Sequence, residues 1–260
     1  MTRPAVALSI AGWDPSGGAG LAADLKTFRQ RGVHGLGVLT LVTVQNTRCL
    51  KEVRVLDARL VRDELKTLLE DFNPGAAKTG ALGSPEVVEA VADAARTFRF
   101  PLVVDPVMVS GTGTRLLDKD AVAIMRLRLL PLARLVTPNV DEARVLSGRP
   151  VSKPSDFADA ARAISDQGAG AVLIKGGHAG GRMAKDFLLY DRKNYVFSRP
   201  RIEKRAFHGA GCILSAAITA ELAKGLDVLK AVRAAEDYVH RALMKAVRLG
   251  RGSWLVPQLP

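Results

Sequence analysis

The chain has 260 residues, with 38 basic against 26 acidic side chains and a formal charge of +12 at pH 7. Its hydrophobic fraction of 48% and charged fraction of 25% are those of a soluble folded chain, which excludes disordered, collagen-like and disulfide-scaffold readings. The longest stretch without formal charge, Gly32–Thr47, holds His34, Gln45, Asn46 and several threonines, so no membrane partner is expected. The opening MTRPAVALSIAGWD has too short an apolar run for a secretory signal. Cys49 and Cys212 lie far apart and form no CxxC, which favours a reducing, cytoplasmic location. The basic residues are scattered and aromatics are only 5%, so the charge does not point to nucleic acid.

In chain order, a buried strand is predicted at Ala5–Ile10, then a glycine loop leading into a helix, then a strand at Val38–Val44. Leu60, Val61, Leu65, Leu68, Leu69 and Phe72 recur at three- and four-residue spacing and predict a helix over Ala58–Phe72. A strand at Ala76–Gly80 follows, and Ser84-Pro85 supplies the N-cap and first-turn proline of a helix running towards Phe98. Strands at Leu102–Val107, Leu135–Thr137 and Ala171–Lys175 alternate with helices at Lys119–Leu129 and Ser155–Gln167. Asp186–Tyr190 and Tyr195–Ser198, joined by Asp191–Asn194, predict a hairpin, and helices at Gly209–Lys224 and Val228–Arg248 close the chain. This alternation means an α/β fold with a central, mostly parallel sheet flanked by helices on both faces. No linker, repeat or composition break divides residues 1–260, so one domain is expected.

In such a sheet the chemistry belongs beyond the carboxyl ends of the strands. Polar and glycine-rich segments fall there six times: Gly12–Gly20, Gln45-Asn46, Lys78-Thr79-Gly80, Asp105-Pro106, Thr137-Pro138-Asn139 and Lys175-Gly176-Gly177-His178. Gly18-Ala19-Gly20-Leu21-Ala22-Ala23 matches G-x-G-x-x-A, but the ribose-binding acid expected about 20 residues on is missing, which argues against a dinucleotide enzyme. Asn139 and Glu142, at i and i+3, suit Mg²⁺; taken alone, an ordinary helix cap after Pro138 is the favoured explanation of Asn139. Gly209-Ala210-Gly211-Cys212 opens a helix whose free N–H groups form an anion hole, with Cys212 either an activated thiolate or a small buried apolar residue. The lone His178 and His208 read as hydrogen-bonding neighbours rather than metal ligands.

The segments AGWDPSGGAGLAADLKTF, TVQNT, AAKTGALGS, VVDPVM, VTPNVDEA, VLIKGGH and HGAGCILSAAITAELAKG, in this order, resemble the hydroxymethylpyrimidine and hydroxymethylpyrimidine-phosphate kinases of thiamin synthesis. The resemblance runs from Val6 to about Ala242 and implies a ribokinase-like fold, Mg²⁺ and ATP as cofactors, a small-molecule pyrimidine substrate and a homodimer. It implies that Gln45, with Asp24 and Gly12 nearby, binds the aminopyrimidine. Asn139 and Glu142 then organise metal and phosphate with Asp105, and Lys175 stands beside the ATP phosphates. Gly209, Ala210 and Gly211 form the anion hole, and Cys212 is the base. The chain departs from the family pattern at Trp13, usually a small Ser or Thr, at Ala206-Phe207, usually Asn-Thr, and at Ser110–Gly113, usually containing Lys-Ser-Gly. A Trp13 side chain narrows the pyrimidine pocket, and Phe207 removes polarity near the phosphates. The alternatives are a pyridoxal or related vitamin kinase, and a family member retained for ligand binding or regulation with weak catalysis.

Overall fold

Short runs of apolar residues form strands here because both of their faces are covered. The computed structural model describes residues 3–111, 113–177, 182–202 and 206–258. Its elements are β1 (Val6–Trp13), α1 (Gly20–Gln30), β2 (His34–Gln45), β3 (Leu50–Val55), α2 (Ala58–Asp71), β4 (Ala76–Thr79) and α3 (Pro85–Ala95). There follow β5 (Leu102–Val104), α4 (Lys119–Ile124), β6 (Leu135–Val136), α5 (Val140–Ser147), α6 (Phe157–Ser165) and β7 (Ala171–Ile174). The chain closes with β8 (Met183–Tyr190), β9 (Lys193–Pro200), β10 (Phe207–His208), α7 (Ala210–Ala223), α8 (Val228–Met244) and β11 (Trp254–Leu255).

Among the described residues nine strands form one sheet in the order β3-β2-β1-β4-β5-β6-β7-β8-β9. The six strands from β2 to β7 run parallel, while β3, β8 and β9 pair antiparallel at the two ends. The strand order reverses at β1, which has β2 on one side and β4 on the other. That reversal opens the crevice in which α/β proteins hold ligands.

Side chains along each strand alternate between two cores. Leu8 and Ile10 of β1, with Leu102 and Val104 of β5, face the layer of α2 to α6, while Val103 faces α7 and α8. Removing each Leu or Ile side chain from water contributes about 1.5–3 kcal/mol. Every residue of α7 from Ile213 to Leu222 is buried, since this helix lies on the sheet and is overlaid by α1 and α8. A helix with apolar or small residues on nearly every side has no other stable place, and its buried Ser215, Thr219 and Glu221 are each hydrogen-bonded.

The Ser84 cap and Pro85 first turn stand as expected, with Ser84 Oγ accepting from the Val87 N–H. The sheet differs from the expectation mainly at its edges. β2 begins at His34 rather than Val38, and β3, too polar to show strand alternation, pairs with it. The expected helix over Lys119–Leu129 is α-helical only to Ile124; wider π turns follow from Met125 to Leu129, and a 3₁₀ turn from Leu130 to Leu132 contains Pro131, which lacks the N–H a continuing helix needs. The hairpin is longer than expected because its loop is tighter. Asp191 and Arg192 both take positive φ, 51° and 58°, forming a two-residue turn whose twist matches that of β8 and β9. No described helix is long and apolar enough to cross a membrane.

Candidate active site

The loop after β1 is the first wall. Asp14, almost fully buried, gathers its donors: the Ser16 N–H at 2.8 Å, the Ser16 hydroxyl at 2.9 Å and the Ala19 N–H at 2.9 Å. Burial acts first and would raise the Asp14 pKa, but hydrogen bonds from His208, Gln45 and Ser16 outweigh it and hold the carboxyl well below its usual range. The Gln45 amide is thus one of the groups that favour the Asp14 carboxylate, and His208 Nε2 lies 2.7 Å from Asp14 Oδ2.

Two glycines make the next junction possible. Gly209, the residue before α7, has φ +79°, and a Cβ there would lie 1.8 Å from the Gly18 carbonyl oxygen. Only a residue without a side chain lets the two backbones meet so closely. A Cβ on Gly18 would strike the His208 ring at 2.5 Å. The N-termini of α1 and α7 are thus brought side by side, and the Gly20 N–H is one of the groups that favour the ionised form of Cys212.

Beneath them runs a line of buried charge. Lys78, at the end of β4, is 0% exposed, and its ammonium lies 2.7 Å from Asp24 Oδ2. Asp24 also accepts from the Ser9 hydroxyl at 2.6 Å, while its Oδ1 has no partner. Asp105, after β5, accepts from Lys175 at 2.8 Å, from Ser215 at 2.9 Å and from Thr137 at 3.2 Å. A Cβ built on Gly211 would lie 3.1 Å from the Lys175 ammonium, so that cation stands over the first turn of α7. Burial lowers the Lys175 pKa, but Asp105 and Glu142 more than reverse this and hold it above the usual lysine range.

Asn139 and Glu142 form the N-cap of α5. The Asn139 side chain accepts from the Glu142 N–H at 2.9 Å, and the Glu142 carboxylate accepts from the Asn139 N–H at 2.8 Å. The capping explanation weighed for Asn139 thus holds, and it places Glu142 facing Lys175. Burial raises the Glu142 pKa, Lys175 opposes, and the outcome is about 7.

Three expectations need revision. Asp24, expected on the substrate side, has no exposed surface and is locked beneath α1 by Ser9 and Lys78. Cys212 is no thiolate in the free protein: burial is the largest influence and pushes its pKa up to about 11, although Lys78 pulls it down. The cation that most favours the thiolate is Lys78, while Asp105 and Asp24 act against it. Gly12 lies inside β1 against the Leu41 side chain and shapes the wall rather than facing the crevice. Trp13 is 40% exposed at the rim. Phe207 lies in β10, paired with Trp254, at the other end of the same wall. His178 falls outside the described residues, as does residue 112 within Ser110–Gly113.

Lys78, which the sequence places at a polar strand end without a role, carries a signal for one. A lysine inside the strand Ala76–Thr79, otherwise buried throughout, needs a buried carboxylate. Ser215 carries no comparable signal, since the carboxylate it meets, Asp105, lies 110 residues away.

With this geometry in view, comparisons with known proteins are consistent with one another. The profile of the phosphomethylpyrimidine kinase family matches residues 14–257. A hydroxymethylpyrimidine/phosphomethylpyrimidine kinase of Rhizobium meliloti is 46% identical over 254 residues, covering 95% of each chain. The ADP complex of Bacillus subtilis pyridoxal kinase superposes with a TM-score of 0.92 at 35% identity, covering 98% of each chain. The phosphomethylpyrimidine kinase of Clostridium difficile gives a TM-score of 0.81 at 36% identity, covering 92% of this chain and 99% of that one. The fold is ribokinase-like, and the chain belongs to the phosphomethylpyrimidine kinase family.

Proposed function

We propose that this chain is a kinase of thiamin biosynthesis that transfers the γ-phosphoryl group of ATP to the hydroxymethyl oxygen of 4-amino-5-hydroxymethyl-2-methylpyrimidine, to its monophosphate, or to both. The observation that carries the reading is the contact of Gly209 with Gly18, which sets the N-terminus of α7 and Cys212 against the glycine loop at the strand-order reversal. Such a site presents donors to a phosphoryl group and a basic atom to an acceptor hydroxyl.

In this reading the N–H groups of Gly209, Ala210 and Gly211 hold the oxygens of the transferring group, and Lys175 adds positive charge above them. The substrate oxygen bonds to phosphorus, the bond from phosphorus to the bridging oxygen breaks with its electron pair left on ADP, and the hydroxyl proton passes to Cys212 Sγ. The base must be the ionised sulfur, so the thiolate supported by Lys78 is the active form. Gln45, oriented by Asp14, keeps amide valences for the aminopyrimidine edge. Asp24 serves from below, fixing Lys78. Trp13 and Phe207 bound the pocket.

Magnesium fits the donors present. Asp105 and Glu142 offer hard carboxylate oxygens, and this ion commonly takes one or two carboxylates plus phosphate and water. Among the described residues no group of three or more metal-binding side chains converges, which is the pattern of an ion carried in with a nucleotide rather than caged by protein. Bound with ATP, it would neutralise charge on the phosphate oxygens.

A coupled ADP-release assay tests the reading with hydroxymethylpyrimidine, its monophosphate and pyridoxal. Turnover with a pyrimidine is expected. Turnover with pyridoxal alone would favour the vitamin-kinase alternative, which the pyridoxal kinase likeness keeps in view. Tight binding without turnover would favour a ligand-binding role. We propose further that the chain is cytoplasmic, in keeping with its two free cysteines. It forms a homodimer in this reading, as the exposed Val44, Val55 and Leu60 support; light scattering reads that state.

A further inference from the structure

The wall that carries Gln45 is held from outside by the C-terminal end of the chain. Gln45 ends β2, and the turn after it is closed on itself. The Asn46 N–H donates to the Cys49 carbonyl at 3.0 Å, and Asn46 Oδ1 accepts from the Arg48 and Cys49 N–H groups at 2.8 and 3.1 Å. Thr47, inside that turn, meets the segment between α8 and β11. Its carbonyl accepts from the Ser253 N–H at 2.8 Å, and its hydroxyl oxygen accepts from the Gly252 N–H at 3.1 Å. Both approaches require glycine. A Cβ on Gly252 would lie 1.9 Å from the Thr47 carbonyl oxygen, and one on Gly250 would lie 2.4 Å from the Thr47 hydroxyl oxygen.

The same segment grips the approach to α7. The Val247 and Leu255 backbones exchange hydrogen bonds of 3.0 and 2.9 Å, which closes residues 247–255 into a loop. Within it the Arg248 guanidinium donates to the Arg251 carbonyl at 3.0 Å. The Trp254 N–H donates to the Ala206 carbonyl at 2.8 Å, and Trp254 and Leu255 pair with Phe207 and His208. A Cβ on Gly18 would meet the Leu255 side chain at 2.6 Å, so the loop also lies against the glycine loop after β1. One short segment thus touches Thr47, two residues after Gln45, and His208, the residue before Gly209.

We propose that residues 247–255 form a clamp that fixes the substrate wall against the N-terminus of α7, with Thr47 the positioning residue through which the clamp holds Gln45. Phosphoryl transfer demands this kind of support, because a misplacement of about 1 Å between reacting groups can cost about 10²-fold in rate. The turn at 46–49 is braced by its own hydrogen bonds, so an anchor on Thr47 is carried to Gln45 rather than lost in a loose loop.

The clamp's role rests on the reading of Gln45 as the contact for the pyrimidine ring. Its test is calorimetric titration of hydroxymethylpyrimidine and, separately, of magnesium-ADP. Thr47→Val keeps the shape of the side chain but removes the acceptor for the Gly252 N–H. It is expected to lose about three- to tenfold in pyrimidine affinity, roughly the worth of one hydrogen bond, with ADP affinity unchanged. Thr47→Ser retains the oxygen and is expected to bind the pyrimidine as the wild type does. Gly252→Ala drives a Cβ into the Thr47 carbonyl; it is expected to show at least the loss of Thr47→Val, and it decides the matter if that variant does not fold. A merely structural contact would lower stability in urea and leave pyrimidine affinity alone. Wild-type pyrimidine affinity in folded Thr47→Val, or the same loss in Thr47→Ser, overturns the clamp. Absence of pyrimidine binding to the wild-type chain would instead overturn the reading of the substrate site, and the clamp's role with it.

Discussion

His208 Nε2 lies 2.7 Å from Asp14 Oδ2, joining β10 to the loop after β1 across 194 residues of sequence. This bond fixes the N-terminus of α7 against the glycine loop, because Gly209 follows His208 and meets Gly18. Asp14→Asn removes the charge that draws in His208, Ser16 and Ala19. It is expected to cost about 1–3 kcal/mol in urea unfolding, the penalty of disrupted buried hydrogen bonding. The pH dependence has a definite sign. A carboxyl held below its ordinary value of 3.8 stabilises the fold above that value and loses its effect as pH falls towards the folded pKa. The difference between wild type and Asp14→Asn is therefore expected to be full at neutral pH and to shrink in strong acid. An unchanged difference at all pH values would contradict it.

The Lys78–Asp24 pair behaves as a unit. Both side chains are 0% exposed, so removing one leaves the other charged and unpaired in the core. Lys78→Met is expected to destabilise by about 3–5 kcal/mol, whereas Asp24→Leu combined with Lys78→Met recovers most of that loss. Additive losses in the double variant, measured by chemical denaturation, would show that the pair is not coupled.

The outline of this fold was legible in the sequence because its signals are local. Apolar runs such as Ala171–Ile174, the Ser84-Pro85 start and the spacing in α2 each follow from one segment alone. β3, β10 and β11 were not legible, since a polar edge strand or a two-residue pairing is defined by its partner. The site divides in the same way. Gly209, Gly211, Cys212, Asn139 and Glu142 announce themselves by spacing and resemblance. The burial of Asp24 and the raised Cys212 pKa depend on packing that no single stretch encodes.

Gln45 gives a sharper test of the substrate wall. Its amide favours the Asp14 carboxylate and has donor and acceptor valences for a ring edge. Gln45→Leu is expected to weaken hydroxymethylpyrimidine binding by about 1–3 kcal/mol in calorimetry, by leaving ring groups unpaired. Equal affinity in the variant would remove Gln45 from the substrate site.

The thiol of Cys212 is expected to react slowly at neutral pH. In a Cys49→Ser background it is the one sulfhydryl of the chain, so alkylation by iodoacetamide reports on it alone. The rate is expected to climb with pH towards about 11, the value burial imposes. Because the reaction needs the thiolate, kcat/KM for the pyrimidine at saturating ATP is expected to climb over the same range. Rapid alkylation at pH 7 would show an activated thiolate in the free protein.

The central claim is that Cys212 accepts the proton of a pyrimidine hydroxyl during transfer from ATP. Single-turnover phosphorylation of hydroxymethylpyrimidine by Cys212→Ala, with ADP affinity measured on the same preparation, tests it directly. The rate is expected to fall by about 10²–10⁴-fold with nucleotide affinity nearly unchanged. A wild-type rate in that variant would contradict the account and place the base elsewhere.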